Sequence, residues 1–269
     1  MALIVPRFLN SVVAIGRNDS NGGIMWMGTG FLFGYRFKDQ PYDAGAYNIF
    51  LVTNKHVLRN FDTVFLKFNP QGNQPAKDYT LNLKHNNTFL YKMHPDKNVD
   101  VAVMPITQQF YDNLKQDGVN PNFFQFDTDC YYIADMKNNI GTTEGDEVYA
   151  LGYPMGIVGN TRQYVILRGG VIARVRDMLD GFSTDFIIDA PVFPGNSGGP
   201  VVIRPEFTFI NGTKSQSESR LIGLVKGYIP YKDVAISPQT GRPRVSFEEN
   251  TGLSLVEPVD HIITTVLQP

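Results

Sequence analysis

Short apolar runs rich in β-branched and aromatic residues recur along this chain, separated by clusters of Gly, Pro, Asn and Asp. Residues 11–15, 28–33, 48–52, 63–68, 101–105, 147–151, 164–171, 186–188, 201–203 and 221–226 all fit a strand pattern. Long helical periodicities between them are too few for an alternating α/β fold, so the chain reads as all-β, a sandwich or a barrel. The last segment differs. From Glu257 onward, Val259, Ile262, Ile263, Val266 and Leu267 recur at helical spacing, with Pro258 suited to a first turn. This predicts one amphipathic C-terminal helix over residues 257–269, packed on the β structure. Three polar, Gly- and Pro-rich stretches, 35–46, 204–219 and 230–251, read as long loops or extended hairpins, places where function often resides. Residues 120–137 read as a link between an N-terminal half, 1–119, and a C-terminal half, 138–256, within one domain.

Composition narrows the picture. The chain has 269 residues, 42% hydrophobic and 19% charged, enough to bury a core without disulfide or metal staples. A formal net charge of −2 builds no basic field, so neither nucleic acid nor an anionic membrane is an expected partner. The single cysteine, Cys130, permits no internal disulfide and favours a reducing compartment. It lies in Asp-Thr-Asp-Cys, where acidic neighbours disfavour a thiolate, so it reads as structural. No Cys–His pairing suggests zinc, and no metal is expected. The N-terminal apolar run is short, lacks a preceding basic region and is broken by Pro6 and Arg7, unlike a signal peptide. No stretch reaches membrane-spanning length. These features point to a cytoplasmic protein, where the sequons at Asn86 and Asn211 carry little weight.

Three segments carry candidate chemistry. In Phe193-Pro-Gly-Asn-Ser-Gly-Gly-Pro-Val-Val202 a serine sits in a glycine-rich turn. A serine hydroxyl is a weak nucleophile unless it is held beside a base. Glycines permit the torsions of such a turn and leave room for a substrate. The amides of Gly195 and Ser197 can then face one pocket and stabilise an oxyanion. The competing reading is an ordinary Gly-rich hairpin turn. His56, in Leu51-Val-Thr-Asn-Lys-His-Val-Leu58, follows an apolar strand where the chain turns, so its ring can face a cleft. His85 and His94 lie in polar, loop-like surroundings and His261 lies on the expected helix. A histidine so placed is often merely structural; its pairing with the serine turn favours a base. Asp100 opens the apolar run Val99-Asp-Val-Ala-Val103, where a carboxylate needs a partner. An imidazole N–H would satisfy it and fix the tautomer that base catalysis requires. Asp96 and Asp62 are rival carboxylates, but neither opens so apolar a run.

Gly28-Thr-Gly-Phe-Leu-Phe33, Thr53-Asn-Lys-His-Val57, Val99-Asp-Val-Ala-Val103 and Pro194-Gly-Asn-Ser-Gly-Gly-Pro200 resemble the trypsin/chymotrypsin-like serine peptidases in type and order. The chain order His, Asp, Ser is that of this family. Leu151-Gly-Tyr-Pro-Met-Gly156 and Pro258-Val-Asp-His-Ile262 look like the protease domain of its HtrA/Deg branch, without a PDZ domain. The resemblance runs over residues 10–265 and implies two six-stranded antiparallel β-barrels of the chymotrypsin type, with the site in the cleft between them. It implies a triad of His56 and Asp100 from the first barrel and Ser197 from the second. Gly195 and Ser197 would form the oxyanion hole, and no cofactor is needed. It places Asp189, Lys226, Gly227 and Tyr228 around the specificity pocket, where Lys226 and Tyr228 would narrow or charge it.

One departure is informative. Asn196 stands where many digestive relatives carry an aspartate that pairs with a newly cut N-terminal amine, so activation by that route is not expected. The reading is an endopeptidase acting on protein or peptide substrates. Its alternative is a latent or non-catalytic protease-fold module binding peptides or a protein partner. A cytoplasmic peptidase must spare its surroundings, which calls for narrow specificity or conditional activation, for instance by an activating protein partner. If His56 is the base, cleavage should fall as pH drops through the ordinary imidazole range, near ~6.5. A rate flat between acid and neutral pH would overturn that assignment.

Overall fold

The computed structural model describes residues 3–37, 47–159, 161–206 and 217–268. Most of the expected loop 35–46, part of 204–219 and the sequon at Asn211 lie outside the described residues.

The chain opens with a short helix, α1 (Pro6–Asn10), then β1 (Val12–Asn18), β2 (Ile24–Tyr35) and β3 (Asn48–Thr53). Next come α2 (Lys55–Leu58), β4 (Thr63–Phe68), β5 (Lys77–Asn82), β6 (Lys84–His85), β7 (Thr88–Phe89), β8 (Lys92–Met93), β9 (Ala102–Pro105), α3 (Gln108–Gln116) and β10 (Phe124–Gln125). The second half holds β11 (Glu147–Gly152), β12 (Ile166–Arg174), α4 (Arg176–Leu179), β13 (Phe186–Asp189), β14 (Pro200–Ile203), β15 (Arg220–Ile236), β16 (Pro243–Pro258) and α5 (Val259–Val266).

The C-terminal half closes into a six-stranded barrel in the order β11-β12-β13-β16-β15-β14. Among the described residues, the N-terminal half does not close by hydrogen bonding as a second barrel was expected to. It is an eight-stranded sheet ordered β5-β4-β1-β2-β3-β9-β8, with β10 parallel to β2. Its two ends stay apart because β8 spans only two residues, while polar β6 and β7 pair with each other instead.

Alternation along the strands explains the continuous apolar runs of the sequence. In β1, Val13 and Ile15 enter the N-terminal core, while Val12 and Ala14 enter a core shared by the two halves. In β3, Leu51 goes one way and Phe50 and Val52 the other. β11 and β14 divide likewise: Ala150 and Val201 face the C-terminal barrel, Leu151 and Val202 the shared core. Such strands are buried on both faces, so no polar alternation is left to read. The shared core also takes Val259, Ile262 and Val266 of α5, each contributing of order 2 kcal/mol on burial. The helix starts at Val259 rather than at 257, because Glu257 and Pro258 still pair with Leu224 and Gly223 in β15.

Residues 230–251 form an extended hairpin between β15 and β16, one of the two forms expected of this stretch. α3 escaped notice because Leu114 is its only buried residue; Thr107 caps it by accepting from Phe110 N, and Gly118 at φ +75 follows its end. The segment 120–137 is itself structured. Phe124 stacks on Phe8 of α1, and Asp129, 1% exposed, receives both Arg7 guanidinium nitrogens and the Gln125 N–H. Cys130 is buried alongside, and desolvation, then the Asp129 charge, push its thiol well above the ordinary range.

Arg7 is the cation that neutralises Asp129 at this junction. Replacing Arg7 by Met should therefore destabilise the chain by about 1–3 kcal/mol in urea unfolding, the cost of leaving a buried acceptor unmatched. An unchanged midpoint would show that the pair holds nothing together.

Candidate active site

Asp100 lies between β8 and β9, and His56 lies in α2, which turns off the end of β3. β3 and β9 are direct antiparallel neighbours, with Thr53 opposite Ala102, so the residues just beyond their paired ends meet. Asn54 secures the meeting by donating from Nδ2 to the Asp100 carbonyl at 2.6 Å. The His56 backbone N–H donates to Asp100 Oδ1 at 3.2 Å, and the ring Nδ1 lies 2.5 Å from Oδ2. Burial alone would raise the Asp100 carboxyl, but hydrogen bonds and charge from His56 outweigh it and hold the group below its ordinary range. The part of stability that Asp100 contributes is therefore present at neutral pH and lost in acid, as it protonates.

Ser197 approaches from the other half, on the turn between β13 and β14. Gly195 has φ +100 and Gly198 φ +84, the left-handed torsions that the glycine-rich sequence anticipated. A Cβ on Gly198 would lie 2.2 Å from the Thr29 carbonyl oxygen and from Thr53 Oγ1. Thr29, on β2, clasps the turn: its N–H donates to Ser197 O at 2.9 Å and its Oγ1 to Gly195 O at 2.6 Å. The same Oγ1 accepts from Tyr153 N, and Thr29 O accepts from Thr53 Oγ1 at 2.7 Å. Pro194 O is turned outward to Met155 N. Among the described residues, neither the Gly195 N–H nor the Ser197 N–H donates to a protein acceptor.

His56 and Ser197 line one open cavity of about 240 Å³, together with Val192, Phe193, Pro194, Val225, Lys226, Gly227 and Tyr228. Ser197 Oγ donates weakly to the Lys226 carbonyl, 3.4 Å away. A larger cavity of about 670 Å³, lined by Phe37, Tyr47, Leu90, Tyr111 and neighbours, shares no residue with this one.

The expected pocket residues divide. Gly227 and Tyr228 line the cavity, as does Lys226. The Lys226 ammonium, however, places no free charge there. It turns to the Asn98 carbonyl at 2.9 Å, to Asp185 Oδ2 at 2.9 Å and to Glu257 Oε1 at 3.0 Å. Burial would lower its pKa, but Asp185 and Glu257 outweigh that and raise it, so the lysine stays charged through neutral pH. Asp189 does not line the cavity; it is exposed at the end of β13, paired with Leu253. β alternation turns its side chain away, and Asp185 and Glu257 are the carboxylates that reach Lys226.

The residue that sequence reasoning missed is Glu257. Read as a helix start, it is a fully buried carboxylate at the end of β16. Its Oε1 accepts from the Asp100 N–H at 2.8 Å and meets Lys226, while Oε2 lies 2.8 Å from His261 Nδ1. His261 in turn lies 4.9 Å, ring to ring, from His94. Burial, then His261, lowers the His94 pKa, which favours its neutral ring. The only sequence signal was the acid at the edge of an apolar run, the pattern that singled out Asp100.

A mostly β chain with a closed six-stranded barrel, an Asp–His pair on one half and a glycine-flanked serine on the other has the architecture of the serine-protease fold. A family model for the trypsin-like peptidase domain matches residues 28–206, and the chain belongs to that family. The chain is similar to the crystal structure of the Rv3671c protease in its inactive form, at 18% identity and a TM-score of 0.47, covering 97% of this chain and 90% of that one. It is similar to an inactive-form mutant of Rv3671c from M. tuberculosis at 17% identity and a TM-score of 0.47, covering 98% and 91%. No curated protein matches it.

Glu257→Ala strips the partner from Lys226, His261 and the Asp100 N–H together. It should cost about 3–5 kcal/mol in urea unfolding, the scale for breaking a buried ion pair. Glu257→Gln keeps an acceptor for Asp100 and should cost less. Equal midpoints for Glu257→Ala and wild type would remove Glu257 from the framework of the site.

Proposed function

We propose that the chain is a serine endopeptidase that hydrolyses peptide bonds in protein or peptide substrates through an acyl-enzyme intermediate. The observation that carries this reading is that His56, held by Asp100 at 2.5 Å, lines one cavity with Ser197, beside two amides lacking protein acceptors. Asp100 holds His56 with Nδ1 protonated, which leaves Nε2 as the base. His56 takes the Ser197 proton as Oγ attacks the substrate carbonyl, and returns it to the leaving amine. The Gly195 and Ser197 N–H groups stabilise the tetrahedral oxyanion, an interaction typically worth about 3–4 kcal/mol per donor. Water, activated by His56, then releases the acyl group. Gly227 and Tyr228 border the substrate, and no metal or organic cofactor enters the cycle.

A second reading has one observation in its favour. Ser197 Oγ donates toward the Lys226 carbonyl, so the hydroxyl must rotate to meet the base. Resting active sites often show loose nucleophile geometry, but the same feature suits a latent enzyme awaiting an activating partner, or a non-catalytic peptide-binding module.

Comparison of wild type with Ser197→Ala separates the readings. Fluorophosphonate labelling and peptide-library cleavage by wild type, with cleavage falling roughly a million-fold in the variant, is the expected result. Silence from folded wild type would overturn the active-enzyme reading in favour of the latent one.

A further inference from the structure

The strand that borders the candidate cleft does not stop at the barrel. β15 pairs with β14 only through Leu224, and β16 pairs with β13 only from Leu253 onward. Beyond those points, among the described residues, the two strands pair solely with each other, from Pro230 opposite Asn250 to Ile236 opposite Pro243. Every residue in 231–236 and 243–249 is exposed. A two-stranded ribbon is marginal in water by itself and offers unpaired backbone groups along its edges. This one also holds apolar side chains in solvent: Tyr231 at 57%, Ile236 at 61% and Phe247 at 53% exposed, with Val234 and Val245 beside them.

The register sorts these side chains onto faces. Tyr231 lies opposite Glu249, Asp233 opposite Phe247 and Ala235 opposite Val245, so Tyr231, Ala235, Val245 and Phe247 share one face with the carboxylates of Asp233 and Glu249. The other face carries Val234 and Ser246 above the Lys232–Glu248 ion pair. The root is braced. Tyr228 donates to Glu248 at 2.7 Å, Asn250 Nδ2 to the Val192 carbonyl at 2.6 Å, and Thr251 Oγ1 to the Ile229 carbonyl at 2.6 Å. Val192 and Tyr228 both line the cavity that holds Ser197 and His56. The ribbon therefore rises directly from the cleft wall.

We propose that this ribbon is an extended substrate-docking site. The free edge of β15 receives a third strand, a segment of the polypeptide to be cleaved with apolar side chains at alternate positions. The inference rests on the peptidase reading above and extends it to a substrate class, chains presenting an extended apolar segment away from the scissile bond. Continuity names the occupant: Lys226, Gly227 and Tyr228 line the candidate cleft and belong to the same strand that runs on into the ribbon. At ~3.3 Å per residue, the strand from Gly227 to Ile236 offers about 30 Å of edge. Backbone pairing supplies affinity, and the Tyr231–Phe247 face selects side chains at every second position. Register breaks between Tyr228 and Pro230 and between Ala235 and Ile236, with Pro230 and Lys232 on the strand, limit indiscriminate pairing between copies.

The test is fluorescence anisotropy on the Ser197→Ala chain. The probe is a fluorescein-labelled peptide about twelve residues long, alternating Val and Thr, matched to the ~30 Å edge. The peptide should bind, and the added substitutions Tyr231→Ser and Phe247→Ser should weaken it about tenfold, the loss expected when two aromatic anchors are removed. Replacing 231–249 by a short Asn-Gly turn should abolish the same increment, which guards against a local effect of the serines. Equal binding by all three chains would overturn the proposal. So would a concentration-dependent dimer of wild type that the shortened chain fails to form, since the ribbon would then serve a second copy. Fluorophosphonate labelling of wild type reports on the peptidase assignment separately, whatever the anisotropy shows.

Discussion

The grip of Thr29 on the serine turn is the contact on which the rest of the site depends. The turn belongs to one half of the chain and the Asp–His pair to the other, so no local propensity can bring them into register. Thr29 does so with its amide on Ser197 O and its hydroxyl on Gly195 O, while its own carbonyl receives Thr53. Thr53 ends β3, and His56 follows within the next turn of chain. The serine and the histidine are thus referred to the same two strands by the Thr29 amide and the Thr29 and Thr53 hydroxyls, whose hydrogen bonds are short and directional. Gly198 is required for this approach, because the two carbonyl and hydroxyl oxygens occupy the space of its missing Cβ.

Around that geometry the charges are arranged in alternation. Asp100 faces His56 with its carboxylate and Glu257 with its amide, and Glu257 faces Lys226 and His261. Buried charges are costly unless paired and hydrogen-bonded, and here each carboxylate meets a donor from a different element: α2, β15 and α5. The network binds the loop carrying Asp100 to the far barrel. It also withdraws the Lys226 charge from the cleft, which leaves the walls beside Ser197 largely apolar, formed by Val192, Phe193, Pro194 and Val225.

Much of the β architecture was legible because strands announce themselves through runs of Val, Ile and Phe. All ten segments read as strands fall on or overlap strands of the structure. Several elements that escaped had little to bury, such as α3 with only Leu114 inside and two-residue β6 to β8. But β16, which closes the barrel and buries Val256, was missed because its outer part reads as a loop and its end as the helix. The serine, histidine and aspartate stood out because each is a polar residue in an apolar or glycine-rich setting. Glu257 has the same signature yet was absorbed into the helix that follows it. Asp189 and Lys226 were placed near the pocket by analogy, and side-chain direction then separated them.

The sequence by itself determined ten of the strands, the single C-terminal helix, and three polar residues as candidates for nucleophilic chemistry. These follow from local rules, since period, glycine torsions and the need of a lone acid for a partner all act within a few residues. Tertiary structure alone decided that the N-terminal sheet stays open among the described residues, that Lys226 turns to Glu257 and Asp185, and that the hairpin of 230–251 stands beside the cleft. Each depends on contacts between residues far apart in the chain, such as Asp100 with Glu257 or Asn250 with Val192. No pattern along the chain encodes the distance between them.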